Sequence, residues 1–294
     1  KVSLTAYLTH LERFGYDTVS AFRFSEGAKE FGGEVTVAEG GIPFVTEGSV
    51  KSMEDIPKIK VPDCRKDGTL PWQLWMIEVL KDKLGDIMPV YGFIVMPGGP
   101  ISCPGCRTLP EGLTDVIENP EMAHKLGEIF ADFVIDYGNA QVEAGADGLY
   151  VVGVDNMVSA KVSEEFELPL MKKLAEKIKC PIWTIGADDW THTLPGLAKT
   201  GVDGFFVFGG QPLEPAKAIA REHDLILRYG LSMQTLLHGP AEAVEAEVKD
   251  VIKKGWQGGK FVLGTEAMDF NTPHSNLDAF MKAAKEYGKL PLKF

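Results

Sequence analysis

The sequence lacks the features that mark membrane-spanning proteins, disulfide-rich domains and nucleic-acid-binding proteins. It has no apolar run of about 18 residues, the minimum for a membrane-spanning helix. Four cysteines in 294 residues are too few for a disulfide scaffold. The formal net charge of -12 makes phosphate backbones and anionic membrane surfaces poor partners. Residues 1–20 are amphipathic and charged rather than signal-like, so we expect a cytoplasmic protein.

Glycine-rich phosphate loops and metalloprotease motifs are also missing. The chain contains no G-x-G-x-x-G, no G-x-x-x-x-G-K-[ST] and no H-E-x-x-H sequence. A doubly wound dinucleotide-binding sheet carries the first of these at its first turn. The absence disfavours that architecture, whereas 45% hydrophobic and 24% charged residues are typical of a globular protein.

A recurring Gly-X-Asp tripeptide gives the chain its organisation. Three copies, at 15–17, 145–147 and 201–203, each follow an amphipathic stretch and precede an apolar run. Glycine ends helices because it adopts positive φ without steric cost. An apolar run directly after such a stop is typical of a buried parallel strand. The pattern therefore predicts a helix, a glycine stop and a strand, three times over.

Further strands and helices complete an alternating series. Apolar runs predict four more strands, at 86–96, 180–187, 224–232 and 259–267. Helices are predicted at 68–84, 119–144, 164–178, 192–200, 213–222, 240–254 and 275–287. The segment 35–48 alternates around a central Gly-Gly and predicts an inserted hairpin.

Strands that alternate with helices favour an α/β fold of the (β/α)8 TIM-barrel type. We expect a single catalytic domain over residues 1–294. The count reaches seven strands, and residue 1 falls inside a predicted helix. We therefore expect the barrel to lack its N-terminal first strand.

Acidic residues follow three of the predicted strands. Active-site residues of TIM barrels lie at the carboxyl ends of the strands, which selects Asp155, Asp188 and Glu266. Carboxylates that meet there need a cation, a shared proton or a basic substrate. Asp188 or Asp189 has a second interpretation, as the cap of the helix that follows.

A C-x-x-C motif, Cys103-Pro-Gly-Cys106, lies in a loop rich in glycine and proline after the strand at 86–96. The spacing suits a zinc knuckle or a redox pair. A second pair of ligands, which would make a zinc ribbon, is not present in the sequence. The alternative is two small residues in a tight turn.

One basic residue and several aromatic residues are predicted near the same face. Arg23 interrupts an apolar strand end and is either a clamp for a substrate carboxylate or a solvent-facing residue. Phe22, Trp190 and Phe208 are candidates for holding a flat substrate, although most inward aromatics of a barrel fill its core.

Several stretches resemble one known superfamily. They are GYDTVSAFRFSEGAKEFGGEV, VIENPEMAHKL, VEAGADGLYVVGVDNMVS, LPGLAKTGVDGFFV, HGPAEAVEAEVKDVI and NTPHSNLDAFMKAAKEYG. In these stretches the chain is similar to the uroporphyrinogen decarboxylase superfamily, and within it to the corrinoid-dependent methyltransferase branch. The resemblance extends in order over nearly the whole chain and implies a (β/α)8 barrel.

The ligand pattern of the branch is altered in this chain. The zinc methyltransferases carry His-x-Cys near the position of Ile185-Gly186-Ala187, and their later cysteine falls on Glu266. The arginine-rich signature of the decarboxylases is absent. The resemblance thus implies an oxygen-rich zinc site formed by Glu266 and Asp188, with Cys103 and Cys106 as further ligands.

The resemblance implies a methyltransferase component that moves a methyl group from a small donor to the cobalt of a separate corrinoid protein. A methoxylated aromatic is the expected donor, and zinc would act as a Lewis acid. Asp155 and Asp188 are the predicted catalytic residues, and Arg23, Phe22, Trp190 and Phe208 the predicted substrate-binding residues. Tetrapyrrole decarboxylation and a non-enzymatic binding barrel are the alternative functions. The sequence leaves the oligomeric state open, with a homodimer as one option.

Overall fold

A computed structural model describes residues 2–22, 27–37, 43–100, 103–153, 155–186, 188–265 and 268–292. Its strands, within those ranges, are β1 Val19–Ser20, β2 Glu34–Val37, β3 Pro43–Glu47, β4 Val90–Val95, β5 Gly148–Val152, β6 Ile182–Gly186, β7 Gly204–Val207, β8 Ile226–Leu231 and β9 Phe261–Thr265. Seven of them form one sheet in the order β1-β4-β5-β6-β7-β8-β9, and β2 pairs with β3 in a separate hairpin.

Helices separate most of the strands. They are α1 Val2–Phe14, α2 Leu70–Leu84, α3 Leu109–Glu118, α4 Pro120–Glu143, α5 Ala160–Val162, α6 Leu168–Lys177, α7 Leu194–Leu197, α8 Leu213–Glu222, α9 Met233–His238, α10 Ala241–Gly255 and α11 His274–Tyr287. Searched for membrane spans, the described helices yield none that is both long and apolar enough to cross a bilayer.

Every neighbouring pair in the large sheet is parallel. Strand order follows chain order, which is the topology of a TIM barrel. The predicted α/β architecture, with seven parallel strands and a hairpin, is confirmed. A closed ring of eight strands is not shown, because β1 and β9 do not pair in the described part of the chain.

The recurring tripeptide connects each helix to the sheet. The glycines of the three copies that follow a helix, Gly15, Gly145 and Gly201, have positive φ angles of 68°, 109° and 95°, as a helix stop requires. Asp147 then donates its backbone N–H to the carbonyl of Val90 and accepts the Val90 N–H on its carboxylate, both at 2.8 Å. Asp203 makes the same pair of hydrogen bonds with Ile182, each at 2.9 Å. At these two sites the tripeptide thus ends a helix and fixes the register of the next strand.

Two buried glutamines replace strand pairing where β1 ends. The Gln141 amide accepts the Phe93 N–H at 2.8 Å and donates to the Phe93 carbonyl at 3.0 Å. Gln73 donates to the carbonyls of Ala21 and Phe93 at 3.0 Å, and the Tyr137 hydroxyl donates to Gln73 at 2.7 Å. Side chains from α2, which carries Gln73, and α4, which carries Tyr137 and Gln141, therefore satisfy backbone groups that a longer β1 would have paired. We call this region the glutamine seam.

The two faces of the sheet differ in composition. The outer face packs against the helices in a large core that includes Leu149 and Phe205. The inner face carries its own, mainly aromatic, cluster: Phe93, Tyr150, Trp183, Ile185 and Phe206. Because side chains alternate along a strand, β4 to β9 each contribute to both cores. We call the space in front of the inner cluster the lumen.

Candidate active site at the carboxyl ends of the strands

The loops after β5 and β6 meet through a hydrogen bond. The Asn156 side-chain amide donates to the Asp188 carboxylate at 3.1 Å. Asp155 opens the short 3-10 turn Asp155–Met157, directly before Asn156. The structure thus places the two predicted catalytic positions on adjacent loops, and a direct approach of their carboxylates stays a prediction.

Asp188 adopts an unusual backbone conformation. It is exposed, and its φ is 50°, a left-handed value that costs free energy in a residue with a side chain. Its neighbour closes a turn: Asp189 accepts the backbone N–H of Thr191 at 3.0 Å and the Thr191 hydroxyl at 2.6 Å. The capping role predicted for Asp188 or Asp189 is therefore wrong, because α7 begins at Leu194 with Thr193 at its N-cap, and the Asp188 carboxylate bonds across to the other loop.

Two predicted residues, Arg23 and Glu266, lie outside the residues that the structure describes. The proposed carboxylate clamp at Arg23 and the proposed metal ligand at Glu266 therefore stay predictions.

Two of the predicted aromatic residues border the lumen. Phe22 is 38% exposed, and its ring centroid lies 4.2 Å from that of Phe93 in an edge-to-face arrangement. Phe208 is partly buried against the inner cluster, 5.1 Å from the Phe206 ring. Phe93 and Phe206 both belong to that cluster and are 2% and 6% exposed, so this aromatic wall of the lumen is largely buried, with Phe22 at its exposed end.

Trp190 packs elsewhere. Its side chain is 0% exposed, and its indole lies against Gly186 and 6.1 Å from the ring of Phe205. Phe205 belongs to the core between sheet and helices. The structure therefore does not bring Trp190 together with Phe22 and Phe208.

The C-x-x-C motif forms a buried tight turn. Cys103 and Cys106 are 1% and 0% exposed, and the Cys106 N–H donates to the Cys103 carbonyl at 3.0 Å. Burial raises the pKa of the Cys103 thiol well above its usual value. A hydrogen bond from the Cys103 thiol, aided by Ser49, lowers the pKa of Cys106 against the opposing effect of burial. Cys106 therefore ionises first, as a thiolate held by its partner.

A buried ion pair holds the C-x-x-C loop against α3. Arg107 donates to both carboxylate oxygens of Asp115, at 2.6 and 3.0 Å. It also donates to the Val50 carbonyl at 3.1 Å. Asp115 is 1% exposed, so this bidentate pair is shielded from water.

The predicted zinc ligands do not converge where they are described. Among the described residues, no group of three or more His, Cys, Asp or Glu side chains is placed to hold a metal ion. Cys103 and Cys106 are buried in their own turn, whereas Asp188 is exposed and bonded to Asn156. These residues therefore do not fit the zinc site that the resemblance implied.

Sequence reasoning missed a basic residue of the lumen, Arg228 on β8. Its guanidinium carbon lies 4.0 Å from the centroid of the Phe206 ring, and it donates a hydrogen bond to the Tyr150 hydroxyl. The signal was an arginine within the apolar run DLILRYGLS. The same signal had selected Arg23, but Arg228 lies in the middle of its strand rather than at the end.

Comparisons with known proteins agree with this fold. The family model for uroporphyrinogen decarboxylase (URO-D) matches residues 2–287. A solved structure described as a methyltransferase from Methanosarcina mazei superposes with a TM-score of 0.83, covering 97% of this chain and 85% of that chain. Its sequence identity of 21% supports a shared fold and nothing further.

Two curated relatives from Methanosarcina mazei are methyltransferases. The methylated-thiol–coenzyme M methyltransferase is 26% identical over 253 residues, which is 83% of this chain and 65% of the relative. The methylcobamide:CoM methyltransferase MtbA is 28% identical over 254 residues, which is 83% of this chain and 72% of the relative. The chain thus spans about two thirds of the length of the relatives that it matches.

Proposed function

Because the chain belongs to the uroporphyrinogen decarboxylase family, we propose that it transfers a methyl group between a small substrate in the lumen and a corrinoid on a separate protein. The membership confirms the family predicted from the sequence. The support for methyl transfer comes from the two methyltransferase relatives, one of which is named for methylcobamide. Each of the two matches 83% of this chain.

A methoxylated aromatic is the donor that the lumen suits best. The observation that supports it is the aromatic wall from Phe22 through Phe93 to Phe206 and Phe208. Aromatic side chains hold a flat ring by stacked and edge-on contacts. The reaction breaks the bond between the ether oxygen and the methyl carbon and forms a bond from that carbon to cobalt(I). The electron pair of the broken bond remains on the phenolate.

Asp155 and Asp188 stay the proposed catalytic carboxylates, because their loops meet at the carboxyl ends of β5 and β6. The strained backbone of Asp188 supports a functional role, since strain of this kind clusters at active sites. Zinc has no step in this proposal, because the described side chains do not fit it.

The test is transfer of a methyl group to free cob(I)alamin. The purified protein would be incubated with cob(I)alamin and with methoxybenzoates, methylamines or methylated thiols, and methylcobalamin followed by its absorbance. We expect turnover with at least one methoxylated aromatic, and a loss of about tenfold or more in kcat for Asp188→Ala. Asp189→Ala is the matched control, since Asp189 bonds only within its own turn among the described contacts. Absence of turnover with every donor contradicts the proposal.

The family name supports one other candidate, tetrapyrrole decarboxylation. The arginine-rich signature associated with that reaction is missing from the sequence. Incubation with uroporphyrinogen and measurement of released carbon dioxide separates the two candidates, and we expect no release.

A further inference from the structure

Arg228 is a cation in the lumen whose protein partners leave part of its guanidinium unused. An arginine side chain has five N–H donors. In the described structure, Nη1 donates to the Tyr150 hydroxyl, and Nη2 makes a long contact of 3.4 Å to the Thr265 carbonyl. Nε is buried and has no hydrogen-bond partner there. The remaining N–H groups of Nη1 and Nη2 have no further partner among the described residues.

Among the residues that the structure describes, those that contact the Arg228 guanidinium are aromatic rather than acidic. The guanidinium carbon lies 4.0 Å from the Phe206 ring centroid and 5.3 Å from that of Tyr150. Cation–π contacts of this kind offset part of the cost of removing the charge from water. The described hydrogen-bond partners are a hydroxyl and a carbonyl, neither of which carries a negative charge. A half-buried cation among apolar groups is costly until an anion pairs with it.

Glycines leave space beside the guanidinium. Gly230 on β8 pairs in register with Gly264 on β9. Gly230 follows Arg228 by two residues, and Gly264 follows Val262 by two residues, towards the carboxyl ends of the strands. Because side chains alternate along a strand, both glycines also face the lumen. A Cβ at Gly264 would stand 2.8 Å from Nε and 3.1 Å from Nη2 of Arg228. The absence of side chains at these positions lets the guanidinium lie against β9 and face the mouth of the lumen.

We propose that Arg228 binds the carboxylate of a small organic acid whose apolar part lies against the aromatic wall. A guanidinium and a carboxylate match in charge and in geometry, since two parallel N–H groups meet two oxygens. If this acid is the methyl donor, the assignment rests on the proposed function. In that case the donor is a methoxylated aromatic that carries a carboxylate. The binding itself does not depend on catalysis.

Direct binding of simple probes tests the assignment. Benzoate and its neutral isostere benzamide would be titrated against the wild-type protein by ligand-observed NMR. We expect benzoate to bind about tenfold tighter than benzamide, the usual value of a charge-assisted hydrogen bond. Arg228→Met removes this preference, and Arg228→Lys retains part of it. Arg221→Met, on the exposed face of α8, leaves it unchanged.

A structural role for Arg228 predicts different results. If the arginine only supports packing, Arg228→Met lowers Tm and leaves the preference for benzoate intact. If it binds a carboxylate, Arg228→Met keeps or raises Tm, because an uncompensated charge has been removed. Gly264→Ala provides a second variant, since its Cβ displaces the flexible guanidinium and should weaken benzoate binding while the chain folds.

Three outcomes overturn the assignment: no benzoate binding by the wild type, equal binding of benzoate and benzamide, or unchanged benzoate binding by Arg228→Met. Failure of methyl transfer to cob(I)alamin with benzoate binding intact contradicts the proposed function alone. Turnover of a neutral methoxylated aromatic at the same kcat/KM as its acid contradicts the Arg228 assignment alone.

Discussion

At the scale of single residues, position 186 controls the packing of Trp190. A Cβ on Gly186 would lie 2.3 Å from an atom of the indole ring, far inside contact distance. The indole is 0% exposed, and its Nε1 has no hydrogen-bond partner among the described groups. Packing alone therefore holds the ring, and only glycine allows it to lie there.

Gly186→Ala is expected to lower the free energy of unfolding by about 1–3 kcal/mol, the usual cost of overpacking a core. Urea denaturation would measure the loss. The matched control is the same substitution in a Trp190→Leu background, where the smaller side chain leaves room for the methyl group. An equal loss in both backgrounds would show that the indole is not the cause.

The thiols are expected to ionise in a fixed order. Burial raises the pKa of Cys64 to about 12, with a hydrogen bond to Asp136 adding to the effect, and burial raises the pKa of Cys180 to about 12. The pKa of Cys103 is also raised by burial, whereas the pKa of Cys106 is lowered, chiefly by its hydrogen bond with Cys103. As pH rises, the thiolate absorbance near 240 nm should therefore begin with Cys106.

Cys103→Ala removes the group that stabilises the Cys106 thiolate. The pKa of Cys106 should then rise, and the first step in thiolate absorbance should move to higher pH. Cys180→Ala is the control, because that thiol stays protonated over the range of this first step. A first step at the same pH in Cys103→Ala contradicts the prediction.

The site residues show what a sequence reveals at this scale. The rule that active residues follow parallel strands selected Phe22, Phe208 and Asp188, and the structure places all three at that end of the sheet. It also selected Trp190, because position along the chain does not reveal whether a ring turns towards the lumen or the helices. Arg228 was missed because an arginine in mid-strand matters only when the neighbouring strands are known.

At the scale of single elements, the ion pair between Arg107 and Asp115 stabilises the start of α3. The helix begins with a capping box in which the Thr108 hydroxyl accepts the Glu111 N–H at 3.3 Å and the Glu111 carboxylate accepts the Thr108 N–H at 2.8 Å. Asp115 lies one turn further and bonds to Arg107, which precedes the cap. Both interactions fix the direction in which the C-x-x-C loop enters the helix.

Asp115→Ala should lower the free energy of unfolding by about 2 kcal/mol or more, because it removes the nearer carboxylate partner of a buried guanidinium and leaves only the 3.5 Å contact between Arg107 and Glu111. The double variant Arg107→Met with Asp115→Leu should lose less than the single one, since it removes both charges. Chemical denaturation of the two variants would measure the difference. A double variant that is less stable than Asp115→Ala contradicts this account.

Gln141→Leu tests the glutamine seam. The change removes the acceptor of the Phe93 backbone N–H. It also removes one of the acceptors of the Gln73 side-chain amide, which donates to Gln141 at 3.2 Å. We expect a loss of about 2 kcal/mol or more in the free energy of unfolding, measured by thermal or urea denaturation. Gln234→Leu on α9 is the control, because Gln234 is exposed and should change stability little.

The accuracy of element prediction followed the strength of the local pattern. Strands predicted at 86–96 and 180–187 are present as β4 and β6, and the helix predicted at 213–222 is present as α8 with the same bounds. Helix α3 was missed because the glycine and proline residues before it suggested a continuing loop. Its capping box and the ion pair between Arg107 and Asp115 stabilise the helix despite those residues. Helix α9 is six residues long, too short for periodicity to reveal.

At the scale of the whole molecule, the sheet is expected to differ in stability between its centre and its edges. The short β1 pairs with β4 at only two positions, Val19 with Val90 and Ser20 with Tyr91. All five residues of β9 are only partly buried, whereas β6 is buried along its whole length. The central strands should therefore open only with the global transition, and the edge strands before it.

Hydrogen exchange measured by mass spectrometry would detect this order. Peptides that contain β5 or β6 should exchange slowest, and peptides that contain β1 or β9 at least about tenfold faster. The prediction holds at neutral pH without denaturant. Uniform protection across the sheet contradicts it.

The overall architecture was predictable because the same physical unit recurs. Three helices end with a glycine at positive φ, and two of the strands that follow begin with an aspartate bound to the neighbouring strand, Asp147 and Asp203. The contents of the lumen were not predictable in the same way. They depend on which inward side chains meet across strands far apart in sequence, such as Tyr150 and Arg228.

The glutamine seam also bears on how the protein avoids self-association. An unpaired strand edge is a template on which another chain can add a strand and start an aggregate. Beyond Ala21 the edge of β4 would present the N–H and carbonyl of Phe93, but Gln73 and Gln141 already occupy both groups. The backbone groups of Phe93 on β4 are therefore not free to pair with a strand of another molecule. By occupying these backbone groups, the side chains of Gln73 and Gln141 oppose aggregation through this edge.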